Sequence, residues 1–391
     1  MKIISVVGAR PNFMKIAPFI RAIDNWNTAT DTSKRIDHLL VHTGQHYDSR
    51  MSESFFADLE ISEPDINLGI GSGTHAEQVG KTMIEFEKVV RQETPDWIVV
   101  VGDVNATLAC SVTAKKEKVK LCHIEAGLRS GDLAMPEEIN RLVTDRLSDL
   151  LLTPDHISSQ NLRNEGVPEN RIVFTGNIMI DTLDSNLEKA SKLDLQQILQ
   201  DNLLKELNPM VRSGMSFQKF AVITLHRPSN VDDRYILNMI VRFFVDEASK
   251  ELPLFWTLHP RTLKQLEAFG LLKEIADCPE IVLLHPLDYR SMLKLNMEAK
   301  LVITDSGGLQ EESTVLGTPC ITMRNNTERP VTLRDKGGLS VLVGNNISDI
   351  RNEFRKALAL ERHPVRPDLW DGKKAQRCVE AIMKYSVSKI E

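Results

Sequence analysis

The chain is 391 residues long, 42% apolar and 26% charged, with a formal net charge of −6. That length exceeds what one hydrophobic core serves well and predicts two α/β domains of ordinary globular composition. Basic residues are scattered rather than massed, which excludes a nucleic-acid partner, and no run nears the roughly 20 apolar residues of a membrane span.

The first segment, Met1–Val7, is too short for the apolar part of a leader. Arg10 and Lys15 follow it where a small-residue cleavage site would stand. It reads as a first buried strand, Lys2–Val7, followed by a helix over Met14–Asp24 and a strand at Asp37–His42. A helical pattern covers Ala76–Gln92, and strands follow at Trp97–Val101 and Lys120–Ile124, separated by a helix from Ala106 to Lys116. Pro136 opens another helix with Glu137 and Glu138 in its first turn, where carboxylates suit the helix dipole. Leu150–Thr153 and Arg171–Thr175 complete the first alternation, and Gly176-Asn177 is a natural turn and domain boundary.

Ser185–Met215 is charged and poor in strand signals, so it reads as helices between the domains. A second set of strands comprises Phe220–Thr224, Leu254–Leu258, Ile281–Leu284, Leu301–Thr304, Cys320–Met323 and Ser340–Val343. Alternation of this kind makes a parallel sheet with helices on both faces. The expected fold is therefore α/β: two doubly wound Rossmann-like domains, residues 1–176 and 177–365, with a ligand cleft between them. Residues 366–391 are expected to form a helix packing back on the N-terminal domain. The five cysteines (Cys110, Cys122, Cys278, Cys320, Cys378) show no CxxC or Cys/His spacing. They read as reduced thiols of a cytosolic protein rather than as disulfides or zinc ligands.

Chemistry-bearing residues cluster where strands end, the place at which open α/β sheets hold ligands. Gly8-Ala-Arg10-Pro-Asn-Phe-Met-Lys15 sets two cations beside a helix N-terminus, which suits an anion. The chain has no dinucleotide fingerprint after a strand, so no nicotinamide cofactor is expected. Asp103 follows Gly102 at the end of Trp97–Val101, a place where an Asp serves equally as a helix cap. His123-Ile-Glu125-Ala-Gly-Leu-Arg129 and Pro136-Glu137-Glu138 crowd carboxylates with basic groups. His226 with Arg227, and His259 with Arg261, each follow a strand. His38, His156, His285 and His363 read as structural. Asp305-Ser306-Gly307-Gly308 looks like a phosphate loop of backbone amides. Gln310-Glu311-Glu312 then opens a helix with carboxylates suited to sugar or ribose hydroxyls, and Arg329 offers a second cation. Anion-binding ends combined with several acids point to a nucleotide sugar.

The ordered motifs GARPNFMK, TGQHYD, GDVNATLA, HIEAGLRSGD, MPEEINR, TGNIMIDTL, TLHRPSNVD, HPRT, TDSGGLQEE and NNTERPVT resemble UDP-N-acetylglucosamine 2-epimerases of the non-hydrolysing type. The resemblance implies the glycosyltransferase-B-like fold, a cytoplasmic homodimer, a UDP-sugar substrate, and no metal or cofactor. It implies inversion of C2 of UDP-N-acetylglucosamine to UDP-N-acetylmannosamine, through loss of UDP to a 2-acetamidoglucal and re-addition. By the same resemblance Asp103, Glu125, Glu137 and His226 form the acid/base set. Arg10, Lys15, His226, Ser306, Gly307, Gly308 and Arg329 hold the diphosphate, and Glu312 the ribose. Gln45, Glu138, Arg227 and His259 match a second, allosteric substrate site in bacterial relatives. Asp48 and His75 stand where those relatives carry glutamines, and Ser229 where many carry glutamate; these departures weigh against such activation. Alternatives are a 2-epimerase for another UDP-2-acetamido sugar, such as a 2,3-diacetamido uronic acid, and a hydrolysing relative releasing ManNAc and UDP. A different class is a nucleotide-sugar sensor, which would need the arginines but not Glu125, Glu137 and His226.

Overall fold

Strands buried on both faces need continuous Val/Ile/Leu runs, because helices cover a parallel sheet from either side. Trp97-Ile-Val-Val-Val101 is such a run and is buried throughout. The computed structural model describes residues 1–8, 10–44, 61–208 and 219–387, with backbone alone at Arg10 and Pro11. It divides into two compact units, Met1–Thr182 with the segment from Asp368, and Leu183–Pro367. The division falls inside the helix Ile178–Ser191 rather than at the Gly176 turn.

In the first unit β1 (Lys2–Val7), β2 (Asp37–His42), β3 (Ile66–Asn67), β4 (Trp97–Val101), β5 (Lys120–Ile124), β6 (Leu150–Thr153) and β7 (Ile172–Phe174) form one sheet. Its order is β3-β2-β1-β4-β5-β6-β7 and its pairings are parallel. The strand β3, two residues long, gives no sequence signal. The second sheet joins β8 (Ala221–Thr224), β9 (Leu254–Thr257), β10 (Ile281–Leu284), β11 (Leu301–Thr304), β12 (Cys320–Thr322) and β13 (Ser340–Leu342). Its order, β10-β9-β8-β11-β12-β13, repeats the doubly wound pattern with parallel pairing. In each sheet the winding reverses beside the first strand, between β1 and β4 and between β8 and β11. Those reversals open the crevices where such sheets take ligands.

The helix after β1 runs from Arg10 to Ala29, longer at both ends than its periodicity suggests. Pro18 lies inside it and has no N–H to offer the carbonyl of Met14. The Thr182 hydroxyl donates to that carbonyl instead, at 2.5 Å. The helix His75–Glu93 opens on a capping box, in which Glu77 and Thr74 satisfy one another's backbone N–H, and ends on Thr94 in the left-handed region at φ 44°. Segment 185–215 is not an inter-domain spacer over its described part. Ile198 and Leu199, in the helix Leu195–Asn202, are buried in the second unit's core with Phe220, Val222 and Phe255.

The chain re-enters the first unit after Pro367. The carbonyl of Leu369 presses on Gly176, where a Cβ would lie only 2.0 Å from it and φ is +90°. Close approach, rather than a domain boundary, therefore requires that glycine. Buried Trp370 donates its indole N–H to the Pro154 carbonyl at 3.0 Å. Asp181 caps the last helix by accepting the amides of Lys374 and Ala375 at 3.1 and 2.8 Å. The helix Lys374–Val387 then packs on Arg10–Ala29, and Ser386 receives the Trp97 indole N–H at 2.9 Å. The five cysteines carry free thiols. Among the described residues no helix is long and apolar enough to cross a membrane.

Candidate active site

The first crevice is built on the turns that follow β1, β4 and β5. Glu125, one residue past β5, is 1% exposed and sits at φ +73°, a conformation that costs a non-glycine residue about 1–2 kcal/mol. Its amide is held by the Leu152 carbonyl at 3.1 Å. Lys15 reaches Glu125 from the helix after β1 and forms a buried ion pair with it. Gly102 makes room for that pair. A Cβ at position 102 would lie 3.2 Å from the Lys15 ammonium and 3.5 Å from a Glu125 oxygen, at a φ of +69°. Lys15, expected to hold the diphosphate, is thus engaged with the acid/base candidate itself.

Asp103 accepts a hydrogen bond from Arg141 at 2.5 Å. Arg141, buried on the helix Pro136–Leu147, also donates to Glu138 at 2.8 and 2.6 Å. Glu138 additionally accepts the amides of Ser130 and Gly131 at 3.1 and 2.9 Å. Burial pushes its carboxyl up, but those amides and Arg141 more than offset this and hold it below the ordinary value. A carboxylate so engaged and 2% exposed braces the turn that carries Ser130 and Gly131. Glu137, its neighbour, is half-exposed and held by no side chain among the described residues. The side chain of Arg10 and the whole of Gln45 lie outside the described residues.

Sequence reasoning missed the support beneath these acids. His123, buried in β5, donates through Nδ1 to Asp145 at 2.6 Å and through Nε2 to the Gly102 carbonyl at 2.9 Å. Asp145 also accepts the Gly127 amide at 3.0 Å and Arg129 at 2.7 Å. Burial raises the Asp145 carboxyl, but the charges and hydrogen bonds of His123 and Arg129 hold it below the usual range. The pair ties the turn bearing Asp103 to the turn bearing Glu125.

The second crevice lies where β8 and β11 run side by side, Thr224 opposite Thr304. His226 follows β8, and its Nδ1 is 2.8 Å from Asp305. His259, the N-cap of the helix Pro260–Phe269, has its ring centroid 5.5 Å from that of His226. Arg227 contributes its amide to Asp305 at 2.8 Å. Asp305, read from sequence as part of a phosphate loop, therefore faces inward onto the β8 turn. Gly307 and Gly308 open the helix Gly307–Leu316, after an N-cap at Ser306 that makes no side-chain cap bond. A Cβ on Gly307 would lie 2.6 Å from the Arg329 guanidinium, whereas one on Gly308 would meet nothing within 4 Å. Arg329 pairs with Glu311 at 2.8 Å and with Glu328. Glu312, on the same helix, is pushed up to about 8 by burial, with the charge of Glu311 adding to the effect and Tyr289 opposing it.

Each unit thus gathers its own part of the expected set: Lys15, Asp103, Glu125 and Glu138 in the first, His226, Arg227, His259 and the Ser306–Gly308 loop in the second. The first part is suited to proton transfer and the second to an anion at a helix N-terminus with arginine and histidine nearby.

The chain is similar to known proteins along nearly its whole length. The profile of a family described as UDP-N-acetylglucosamine 2-epimerase matches residues 28–383. A UDP-N-acetylglucosamine 2-epimerase of Methanocaldococcus jannaschii is 40% identical over 384 residues, covering 98% of this chain and 99% of that protein. A UDP-2,3-diacetamido-2,3-dideoxy-D-glucuronate 2-epimerase of Pseudomonas aeruginosa is 38% identical over 349 residues, 88% of each. The crystal structure of the M. jannaschii UDP-GlcNAc 2-epimerase in complex with UDP-GlcNAc and UDP aligns at a TM-score of 0.84 with 39% identity, over 98% of this chain and 100% of that one. The family profile, the relatives and the shared architecture agree: the chain belongs to the UDP-N-acetylglucosamine 2-epimerase family.

Proposed function

We propose that the protein inverts C2 of UDP-N-acetylglucosamine, giving UDP-N-acetylmannosamine. The observation that carries this reading is Glu125, kept in a left-handed backbone and buried against Lys15 at the end of β5. Strain of that kind persists where the surroundings over-determine it, and it places a carboxylate where a core has no use for one.

The C2 proton has no adjacent carbonyl, so a base alone removes it too slowly. As the C1–O bond breaks, its electron pair leaves with UDP and C1 gains positive character. A base then takes the C2 proton, and the C2–H electrons form the C1=C2 bond of a 2-acetamidoglucal. Protonation of C2 from the other face and return of UDP to C1 complete the inversion. Two faces need more than one acid/base group, each worth about 10²–10⁴ in rate. We assign Asp103, Glu125, Glu137 and His226 to that set. The Gly307 and Gly308 amides, Ser306, Arg329 and Arg10 take the diphosphate, and Glu312 the ribose. We place the protein in the cytoplasm and infer a homodimer; light scattering on the purified protein tests the oligomeric state.

Incubation with UDP-GlcNAc in D₂O, followed by proton NMR, decides the reaction. UDP-ManNAc bearing deuterium at C2 is the expected product. Free ManNAc with UDP would assign a hydrolysing enzyme instead. The P. aeruginosa relative favours a second reading, on a UDP-2,3-diacetamido uronic acid. Turnover of that sugar with UDP-GlcNAc unchanged would replace the first reading by the second.

A further inference from the structure

We propose that Asp305 is the positioning residue that sets the tautomer and aim of His226, an inference that rests on the epimerase reading above. Asp305 is fully buried at the end of β11, and one of its oxygens lies 2.8 Å from Nδ1 of His226. The same carboxylate accepts the amides of His226 and Arg227 at 2.9 and 2.8 Å and the Asn230 side-chain amide at 3.0 Å. Asn230 is anchored in turn on the Met323 carbonyl at 2.9 Å. The carboxylate therefore cannot swing away from the ring. β8 and β11 are adjacent parallel strands in register, so the two residues meet at the point where the sheet's winding reverses.

The contact is an ion-pair approach rather than an aligned hydrogen bond, and the charge of the carboxylate favours a hydrogen on Nδ1. The opposite nitrogen, Nε2, then belongs to the outward edge of a side chain that is 37% exposed. It holds a proton when the ring is cationic and accepts one when the ring is neutral, while the proton on Nδ1 stays in place. A proton leaving Nε2 goes to the departing diphosphate and returns from it, and Asp305 never titrates. Among the described residues, the groups near the ring besides Asp305 include Arg227, His259 and the Arg261–Asp232 pair. Arg227 is on its own turn. His259 lies beside it, its pKa lowered first by burial and then by the charge of His226. Arg261 stands behind His259, offset by its ion pair with Asp232. Burial pushes the Asp305 carboxyl up, but His226 and the two amides hold it below the usual range, so it stays ionised.

The bland alternative is that Asp305 only clamps the turn after β8, a task that neutral donors and an asparagine could share. Asp305→Asn separates the two. An amide facing Nδ1 donates to it, moves the ring hydrogen to Nε2 and removes the adjacent negative charge. The expected result is a kcat lower by about 10²–10⁴-fold. KM and the UDP dissociation constant should stay within about threefold, since binding common to ground and transition states is kept. The limb of the pH–kcat profile that requires a cationic His226 should move to lower pH. Turnover close to wild type, or reduced turnover with an unmoved profile, would overturn the proposal.

Should the variant not fold, ¹⁵N-histidine spectra of the wild type decide. An Nδ1 that keeps its hydrogen throughout the titration, assigned by its loss in His226→Gln, supports the dyad, and a neutral ring protonated on Nε2 refutes it. That measurement needs no turnover. A wild-type protein inactive on every UDP-2-acetamido sugar would therefore sink the epimerase reading while still leaving Asp305 tested.

Discussion

Glu125 combines three properties that a carboxylate rarely holds at once: full burial, a left-handed backbone and an ammonium partner. Glu125→Gln keeps the shape and removes the proton acceptor. It should abolish turnover while leaving UDP binding within about threefold, and the same holds for Glu137→Gln. Wild-type turnover in either variant would remove that residue from the acid/base set. Glu312 makes a different prediction, about stability. Its folded carboxyl keeps its proton to about pH 8, whereas the ordinary value is 4.5. The folded state thus binds more protons across that window, and stability falls as pH rises through it, then levels off. Glu312→Gln should flatten this fall and raise the melting temperature above pH 8, by about 2–4 °C for each kcal/mol relieved. A variant with the wild-type pH slope would refute the assignment.

At the scale of elements, the strands were legible because each apolar run is closed by a polar turn. The acids and histidines at those turns were legible for the same reason. What escaped was partnership. His123 finds Asp145, and Arg141 bridges Asp103 and Glu138, because strand register and helix packing bring together residues remote in the chain. In sequence Asp305 belongs to a phosphate loop because its neighbours are Ser306 and two glycines, and only the pairing of β8 with β11 turns it onto His226. The helix His75–Glu93 carries a testable imperfection of its own. Its capping residue Thr94 is β-branched, exposed and at φ 44°. Thr94→Gly should stabilise the first unit by roughly 1 kcal/mol in urea denaturation. No gain, or a loss, would mean that the threonine side chain makes up the difference.

Over the whole molecule, the doubly wound pattern is used twice, and each copy concentrates chemistry at its own reversal of strand order. In each copy a buried aspartate does similar work: Asp145 and Asp305 both hold a histidine and fasten backbone amides of a neighbouring turn. The first unit is the less self-sufficient, since it borrows Trp370 and the helix Lys374–Val387 from beyond the second. Trp370→Ala removes a fully buried indole and its bond to Pro154. It should cost about 3–5 kcal/mol, read as earlier unfolding of the first unit and not the second. A single unchanged melting transition would show that this segment carries no such share.

The order in which residues leave the ribosome gives that borrowing a temporal meaning. Trp97 is made early, but the Ser386 hydroxyl that receives its indole N–H is made only after residues 183–367. The unit translated first is therefore the last to be closed, and its unfinished face waits through the synthesis of another entire sheet. Nascent chains stalled after residue 367 should hold a protease-resistant second unit and a protease-sensitive first. Premature stop codons near the 3′ end of the message should accordingly cripple the amino-terminal half of the protein, and with it Glu125 and its neighbours.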